Sequence, residues 1–339
     1  MSEMATPADA LIEGLNPAQQ AAVIHTGGPL LVVAGAGSGK TRVLTRRIAY
    51  LMAARGVRPY EILAITFTNK AAGEMKERVA ELVGPVAKSM WVSTFHSACV
   101  RLLRLEAHRL GFSNSFSIYD SADSLRLVTI VAKELNLDPK RYPPRQFQSM
   151  ISNAKNELLG PQDYLNATTN QFEQVVADVY SVYQKRLQSA NAMDFDDLIL
   201  NTVKVIQRFP EAKARMRSRF KHILVDEYQD TNHAQYILVR ELTGSLEDGT
   251  PPAELCVVGD ADQSIYGFRG ATIRNILQFE LDYPNATTVL LEQNYRSSQN
   301  ILNAANAVIT QNSSRKEKNL WSESGPGAPL IGYVAESEH

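Results

Sequence analysis

LLVVAGAGSGKT, residues 30–41, joins an apolar run to a glycine-rich loop, and a helical pattern follows at once. Four apolar residues in succession, with no polar alternation, read as a strand buried on both faces. Val43, Leu44, Ile48, Leu51 and Met52 then recur on one helical face, and Gly56 supplies a stop. A glycine-rich loop between a buried strand and a helix is the context of a phosphate-binding loop. Gly35, Gly37 and Gly39, with Ala36 and Ser38 between them, let backbone N–H groups turn inward at a helix N-terminus that already favours anions. Lys40 is placed to reach the β- and γ-phosphates and the Thr41 hydroxyl to bind Mg²⁺. Ala34 stands where the simplest pattern has glycine, a minor departure.

Further short apolar runs occur at 62–65, 90–92, 223–225, 255–258 and 289–291, most of them followed by helical patterns. Such alternation predicts an α/β fold, a parallel sheet with helices on both faces, whose nucleotide sites lie beyond the carboxyl ends of the strands. Between about 120 and 220 the strand signals vanish. Asp120 is placed to cap a helix carrying Leu125, Val128, Ile130, Val131 and Leu135, a turn follows at Pro143 and Pro144, and further helical stretches run near 145–156, 171–189 and 194–207. The expected organisation is a discontinuous sheet domain at 1–120 and 205–290 with an all-helical insertion at 121–204.

A sheet of this kind needs an acid at the end of a buried strand facing the loop. HILVDE at 222–227 supplies two. Asp226 is placed to hold Mg²⁺ through water and Glu227 to polarise an attacking water. The plain alternative is an exposed acidic turn, but adjacent carboxylates are useful mainly with a cation between them.

With 35 basic and 36 acidic residues the chain gives no global signal for a polyanionic partner, so a nucleic-acid site must be local. Lys204, Arg208, Lys213, Arg215, Arg217, Arg219 and Lys221 form a basic run that reads more simply as a solvated helix face. Cys99 and Cys256 are too few for a disulfide framework or a zinc site and read as reduced core residues. Neither a secretory leader nor a membrane-spanning apolar run is visible, and a cytoplasmic location is expected.

DEYQD at 226–230, GDADQSIY at 259–266 and QNYRS at 293–297 resemble motifs of the UvrD, Rep and PcrA helicases of superfamily 1. The likeness begins with LNPAQ at 15–19 and continues through TFTNKAA at 66–72, STFHS at 93–97 and MDFDDL at 193–198. It implies a RecA-like motor domain that binds Mg-ATP, acts on single-stranded and tailed duplex DNA, and moves 3′ to 5′; protein partners stay unknown. Gln19 resembles the glutamine that reads adenine, Tyr295 the aromatic that stacks on the base opposite Arg42, Arg296 an arginine finger, and Gln263 a sensor of the γ-phosphate. The resemblance also implies DNA contacts from Phe67, His96, Phe195, Tyr266, Phe268 and Arg269, whereas Phe95 reads as core. YGFRGA at 266–271 departs from relatives, which commonly have arginine and tryptophan where Gly267 and Phe268 stand. Phenylalanine stacks over less area, so a weaker grip on a base is expected there. Since the family needs a complete second motor domain and this sequence ends soon after Arg296, the resemblance implies a fragment. A subunit of a helicase–nuclease and a non-motor nucleotide switch are the alternatives.

Overall fold

The computed structural model describes residues 7–248, 251–265, 267, 272–312 and 317–332. The chain opens with helices α1 (Pro7–Ile12) and α2 (Pro17–Ile24), then strand β1 (Leu30–Ala34) and α3 (Lys40–Ala53). There follow β2 (Ile62–Thr66), α4 (Asn69–Val83), β3 (Trp91–Thr94), α5 (Phe95–Glu106) and a short strand β4 (Ser117–Tyr119). Helices α6 (Ser121–Glu134), α7 (Pro144–Asn156), α8 (Pro161–Asn166) and α9 (Gln171–Ser189) come next, ahead of β5 (Ala192–Asp194). After α10 (Phe195–Arg208) and α11 (Pro210–Arg219) the sheet resumes with β6 (His222–Val225), α12 (His233–Thr243) and β7 (Glu254–Gly259). Two single turns, α13 (Arg274–Leu277) and α14 (Phe279–Asp282), lead to β8 (Thr287–Leu291) and α15 (Gln299–Ile309).

Six strands form one parallel sheet in the order β3-β2-β6-β7-β1-β8. Its central strands are buried on both faces for a simple geometric reason. Successive side chains point to opposite sides, so Leu31 and Val33 enter one hydrophobic cluster and Leu30, Val32 and Ala34 the other. On β6, Ile223 and Val225 likewise face one cluster and Leu224 the other. Helices cover both faces, which is why the strands read as unbroken apolar runs rather than alternating ones. Six motif-bearing loops leave the carboxyl ends of these strands: AGAGSGKT after β1, TFTNKAA at β2, STFHS at β3, DEYQD after β6, GDADQS at β7 and QNYRS after β8; LNPAQ instead opens α2 and MDFDDL lies at β5.

A third cluster, with Val128, Val131, Phe147, Ile151, Val176, Tyr180, Tyr183 and Leu187, forms a separate core among α6, α7 and α9. Asp120 caps α6, its carboxylate accepting from the N–H groups of Ala122 and Asp123 at 2.8 Å each. Two features differ from the sequence expectation. The region is not wholly helical, because β5 pairs in parallel with β4; three residues are too few to show a period of two. Helix α10, expected in the insertion, instead buries Leu198, Ile199, Val203, Val205 and Ile206 in the cluster on one sheet face. Amphipathic spacing identifies a helix but not the core it faces.

At the joint between insertion and sheet domain, the ammonium of Lys155, wholly buried, lies 2.7 Å from Asp194 and 2.9 Å from Asp197. Tyr183 OH donates to Asp194 and Gln184 Nε2 to Asp197, so each carboxylate is held by a second donor. Burial opposes the charge on Lys155, but both carboxylates outweigh it and hold the lysine protonated well above its usual range. Lys155→Met is expected to cost about 3–5 kcal/mol, the scale for stranding buried charges. Urea denaturation reads this directly, and a loss below about 1 kcal/mol would contradict it.

Candidate nucleotide and nucleic-acid site

The phosphate loop is held open by backbone geometry that glycine permits: Gly37 and Gly39 have φ of 68° and 91°. A Cβ on Gly39 would also meet Gln19 Nε2 at 2.8 Å. Gln19 is wholly buried on α2, where its Nε2 donates to Ser38 O at 2.9 Å and its Oε1 accepts from Asn16 N–H at 3.2 Å. Its carboxamide therefore braces the loop in this state. Buried Arg47 anchors the same helix by donating from Nη1 to the carbonyls of Ala22, Val23 and His25, groups that α2 leaves unsatisfied at its C-terminus.

Lys40 Nζ lies 2.8 Å from Glu227 Oε2, so the loop lysine is paired with the expected base. Glu227 has a left-handed backbone, φ 48° and ψ 47°, uncommon for a side-chain-bearing residue and a mark of local strain. Asp226 is buried beside it. Burial first, then the neighbouring Glu227 charge, raise the Asp226 carboxyl to about 6. The same two causes raise Asp230 to about 6.

The half-buried Thr41 hydroxyl and the Asp226 carboxylate are oxygen donors of the kind that suits Mg²⁺, with phosphate and water to supply the remaining ligands. Lys40 balances part of this negative charge while it sits on Glu227.

Burial of the Asp226 carboxyl makes the stability of the fold depend on pH. The folded state holds this proton more tightly than the unfolded chain, so stability falls as pH rises from about 4 to about 6. The tighter hold on this proton is worth roughly 3 kcal/mol as an upper bound. Asp226→Asn, which retains the oxygen accepting from Glu227 N–H, is therefore expected to stabilise the nucleotide-free protein above pH 6 and to abolish Mg²⁺-dependent nucleotide binding. Thermal melts at pH 5 and 8 would show it, and an equal or lower melting temperature at pH 8 would contradict it.

The segment after β8 lies across the loop. Asn294 Nδ2 donates to Ala36 O at 2.5 Å and Tyr295 N–H to Gly37 O at 2.9 Å, while the Arg296 Cβ would sit 2.8 Å from a Cβ on Gly37. Leu320 packs so closely on Gly35 that a Cβ there would collide with it. Tyr295 and Arg42 are both exposed, and Asn16 Nδ2 donates to Tyr295 OH at 3.0 Å. Gln263 follows β7, its Nε2 donating to Asp260 Oδ2 at 2.5 Å.

His96 and Phe195, from different strand ends, meet edge to face with centroids 5.6 Å apart at 85°. Burial lowers the His96 pKa, favouring a neutral ring, and Phe195 stays about half exposed. Phe67, half-buried, follows the adjacent strand β2, while Phe95 is core. Tyr266, Phe268 and Arg269 lie outside the described residues.

The basic run of α11 is largely paired within the fold. Lys213 lies 3.4 Å from Glu241, Arg215 2.9 Å from Glu106 and Arg217 2.8 Å from Asp248, while Arg219 lies over the Trp91 ring. Cys99 and Cys256 are both buried, and burial pushes the Cys99 thiol up to about 12. No helix among the described residues is long and apolar enough to cross a membrane.

The model of the UvrD/REP helicase N-terminal domain matches residues 15–284, and that of the UvrD-like helicase C-terminal domain matches residues 289–339. The chain belongs to the UvrD/REP helicase family. It is 62% identical over 339 residues to the ATP-dependent DNA helicase UvrD1 of Mycobacterium tuberculosis (strain ATCC 25618 / H37Rv), covering 98% of this chain and 44% of that protein. It is 55% identical over 328 residues to the ATP-dependent DNA helicase PcrA of Bacillus subtilis (strain 168), covering 97% of this chain and 44% of that protein. This UvrD/REP chain thus spans less than half the length of the curated relatives it matches.

Sequence reasoning assigned no role to Gln229, Asn294 or Lys318. Gln229 and Asn294 stand inside recognised motifs, DEYQD and QNYRS, but their hydrogen bonds to other strand ends exist only once the sheet is assembled. Lys318 has no motif around it, yet its ammonium reaches Asp260 at 2.5 Å and also pairs with Asp262.

Proposed function

We propose that this chain is the ATP-binding portion of a motor that moves 3′ to 5′ along single-stranded DNA and unwinds duplex, using Mg-ATP hydrolysis in DNA repair or replication. The observation that carries this reading is the convergence of Lys40 with its partner Glu227, the Asn294 side chain and the Tyr295 backbone on one phosphate loop, with His96, after β3, paired to Phe195, after β5 of the small second sheet.

Gln19, the loop from Gly35 to Thr41, Arg42 and Tyr295 hold the nucleotide in this proposal, and Thr41 and Asp226 hold the cation. The cation would neutralise phosphate charge. Lys40 leaves Glu227 for the β- and γ-phosphates, freeing the carboxylate to take a proton from water. Arg296 stabilises the charge spreading over the transferred group, and Gln263 senses the γ-phosphate. Phe67, His96, Phe195, Tyr266, Phe268 and Arg269 contact the strand, the aromatics by stacking. ATP closes the cleft between motor domains and hydrolysis reopens it, so two grips alternate. The first motor domain comprises 1–120 and 205–290 in sequence, with α10 packed into its core although it lies mostly in the insertion interval 121–204, and the second begins at 291–339. The proposed location is the cytoplasm.

Phosphate release by the longer protein, measured with and without single-stranded DNA, tests the reading. Stimulation by single strands supports a motor; equal rates would favour a nucleotide switch.

A further inference from the structure

Gln229, the fourth residue of DEYQD, is almost wholly buried and joins two strand ends. Its Nε2 donates to Glu227 Oε2 at 2.9 Å and to Asp230 Oδ2 at 3.3 Å. On its other side, Oε1 accepts from the Asp260 N–H at 2.9 Å. The amide orientation is fixed by its neighbours, since reversal would set oxygen against carboxylates and NH₂ against an N–H. Space for this bridge is provided by a missing side chain. A Cβ on Gly259, the last residue of β7, would stand 2.6 Å from Gln229 Oε1, although the Gly259 backbone does not need a left-handed conformation.

We infer that Gln229 is a positioning residue that sets the direction of the Glu227 carboxylate according to where the end of β7 stands. The inference rests on Glu227 serving as the base in the proposed motor. Glu227 Oε2 accepts from both Lys40 and Gln229, so when Lys40 moves to phosphate, Gln229 still orients the oxygen. Asp260, at the far end of the bridge, shares its carboxylate between Gln263 and Lys318. A shift of the β7 end, caused by γ-phosphate at Gln263 or by movement of the segment carrying Lys318, therefore reaches Glu227 through one buried carboxamide. The effect falls on the chemical step, because Gln229 touches neither the loop backbone nor the residues expected to grip the base.

The test is a double-substitution cycle in the intact helicase that carries this chain, read as steady-state ATP turnover with saturating single-stranded DNA. Gln229→Met keeps the length and removes both polar ends. It is expected to lower kcat by about 10-fold or more, part of the 10²–10⁴-fold scale of a general base, with KM for ATP changed less than about 3-fold. In a Glu227→Gln background the same change should cost less than about 2-fold, because the group that Gln229 orients no longer acts as a base. Equal losses in the two backgrounds, or a raised KM with unchanged kcat, would overturn the inference. Gly259→Ala, which displaces Gln229 without altering its chemistry, should reproduce the kcat loss and serves if Gln229→Met fails to fold; unchanged kcat there would also overturn it. Absence of DNA stimulation in the unsubstituted protein would overturn the motor reading alone, since the cycle can equally be read on basal turnover.

Discussion

Arg296→Ala is expected to lower DNA-stimulated ATP turnover by roughly 10³-fold or more while leaving Mg-ADP affinity within a few-fold. An arginine that stabilises charge on a transferred phosphoryl group is worth about 10³–10⁵ in rate where it has been measured. Here its backbone is already locked to the loop: the N–H groups of Arg296 and Ser297 both donate to Asn294 Oδ1 at 2.7 Å, and Tyr295 N–H donates to Gly37 O. Arg296 is exposed here, and in the proposed motor it acts when a second motor domain brings it to the γ-phosphate. Arg296→Lys should recover little, because a point charge lacks the planar fork that meets two phosphate oxygens. Single-turnover hydrolysis in the longer protein is the measurement, and a loss under about 10-fold would remove Arg296 from the role.

Glu227→Gln should leave Mg-ATP binding largely intact and slow hydrolysis by about 10²-fold or more, the scale of a lost general base. The amide preserves the shape but has no basicity. It also breaks the resting ion pair with Lys40, which frees the lysine for phosphate. Nucleotide affinity should therefore stay level or improve while the rate collapses, a combination that simple misfolding does not produce. Turnover at the unsubstituted rate would place the base elsewhere.

Much of this site was legible because its chemistry is local. Glycines at 35, 37 and 39 followed by Lys40 and Thr41 state their loop in consecutive residues, and HILVDE states a buried strand ending in two acids. The runs of the central strands were equally clear, since burial on both faces keeps their interiors apolar. Their order was not. Nothing in six apolar runs says that β8 lies beside β1 or that β7 separates β1 from β6.

The sequence by itself determined an α/β sheet, the phosphate loop, the paired acids and a helical region between the halves of the sheet, because each is written in residues a few positions apart. Only the tertiary structure decided that α10 packs on the sheet, that Lys155 is sealed between Asp194 and Asp197, and that Gln229 bridges Glu227 to Asp260. Lys155 and Asp194 stand 39 positions apart and Gln229 and Asp260 31, while α10 could have faced either of two cores, and local propensity does not encode such relations. Long-range pairing is settled when loop closure, burial and complementary hydrogen bonds are satisfied together, a condition on the whole chain rather than on any stretch of it.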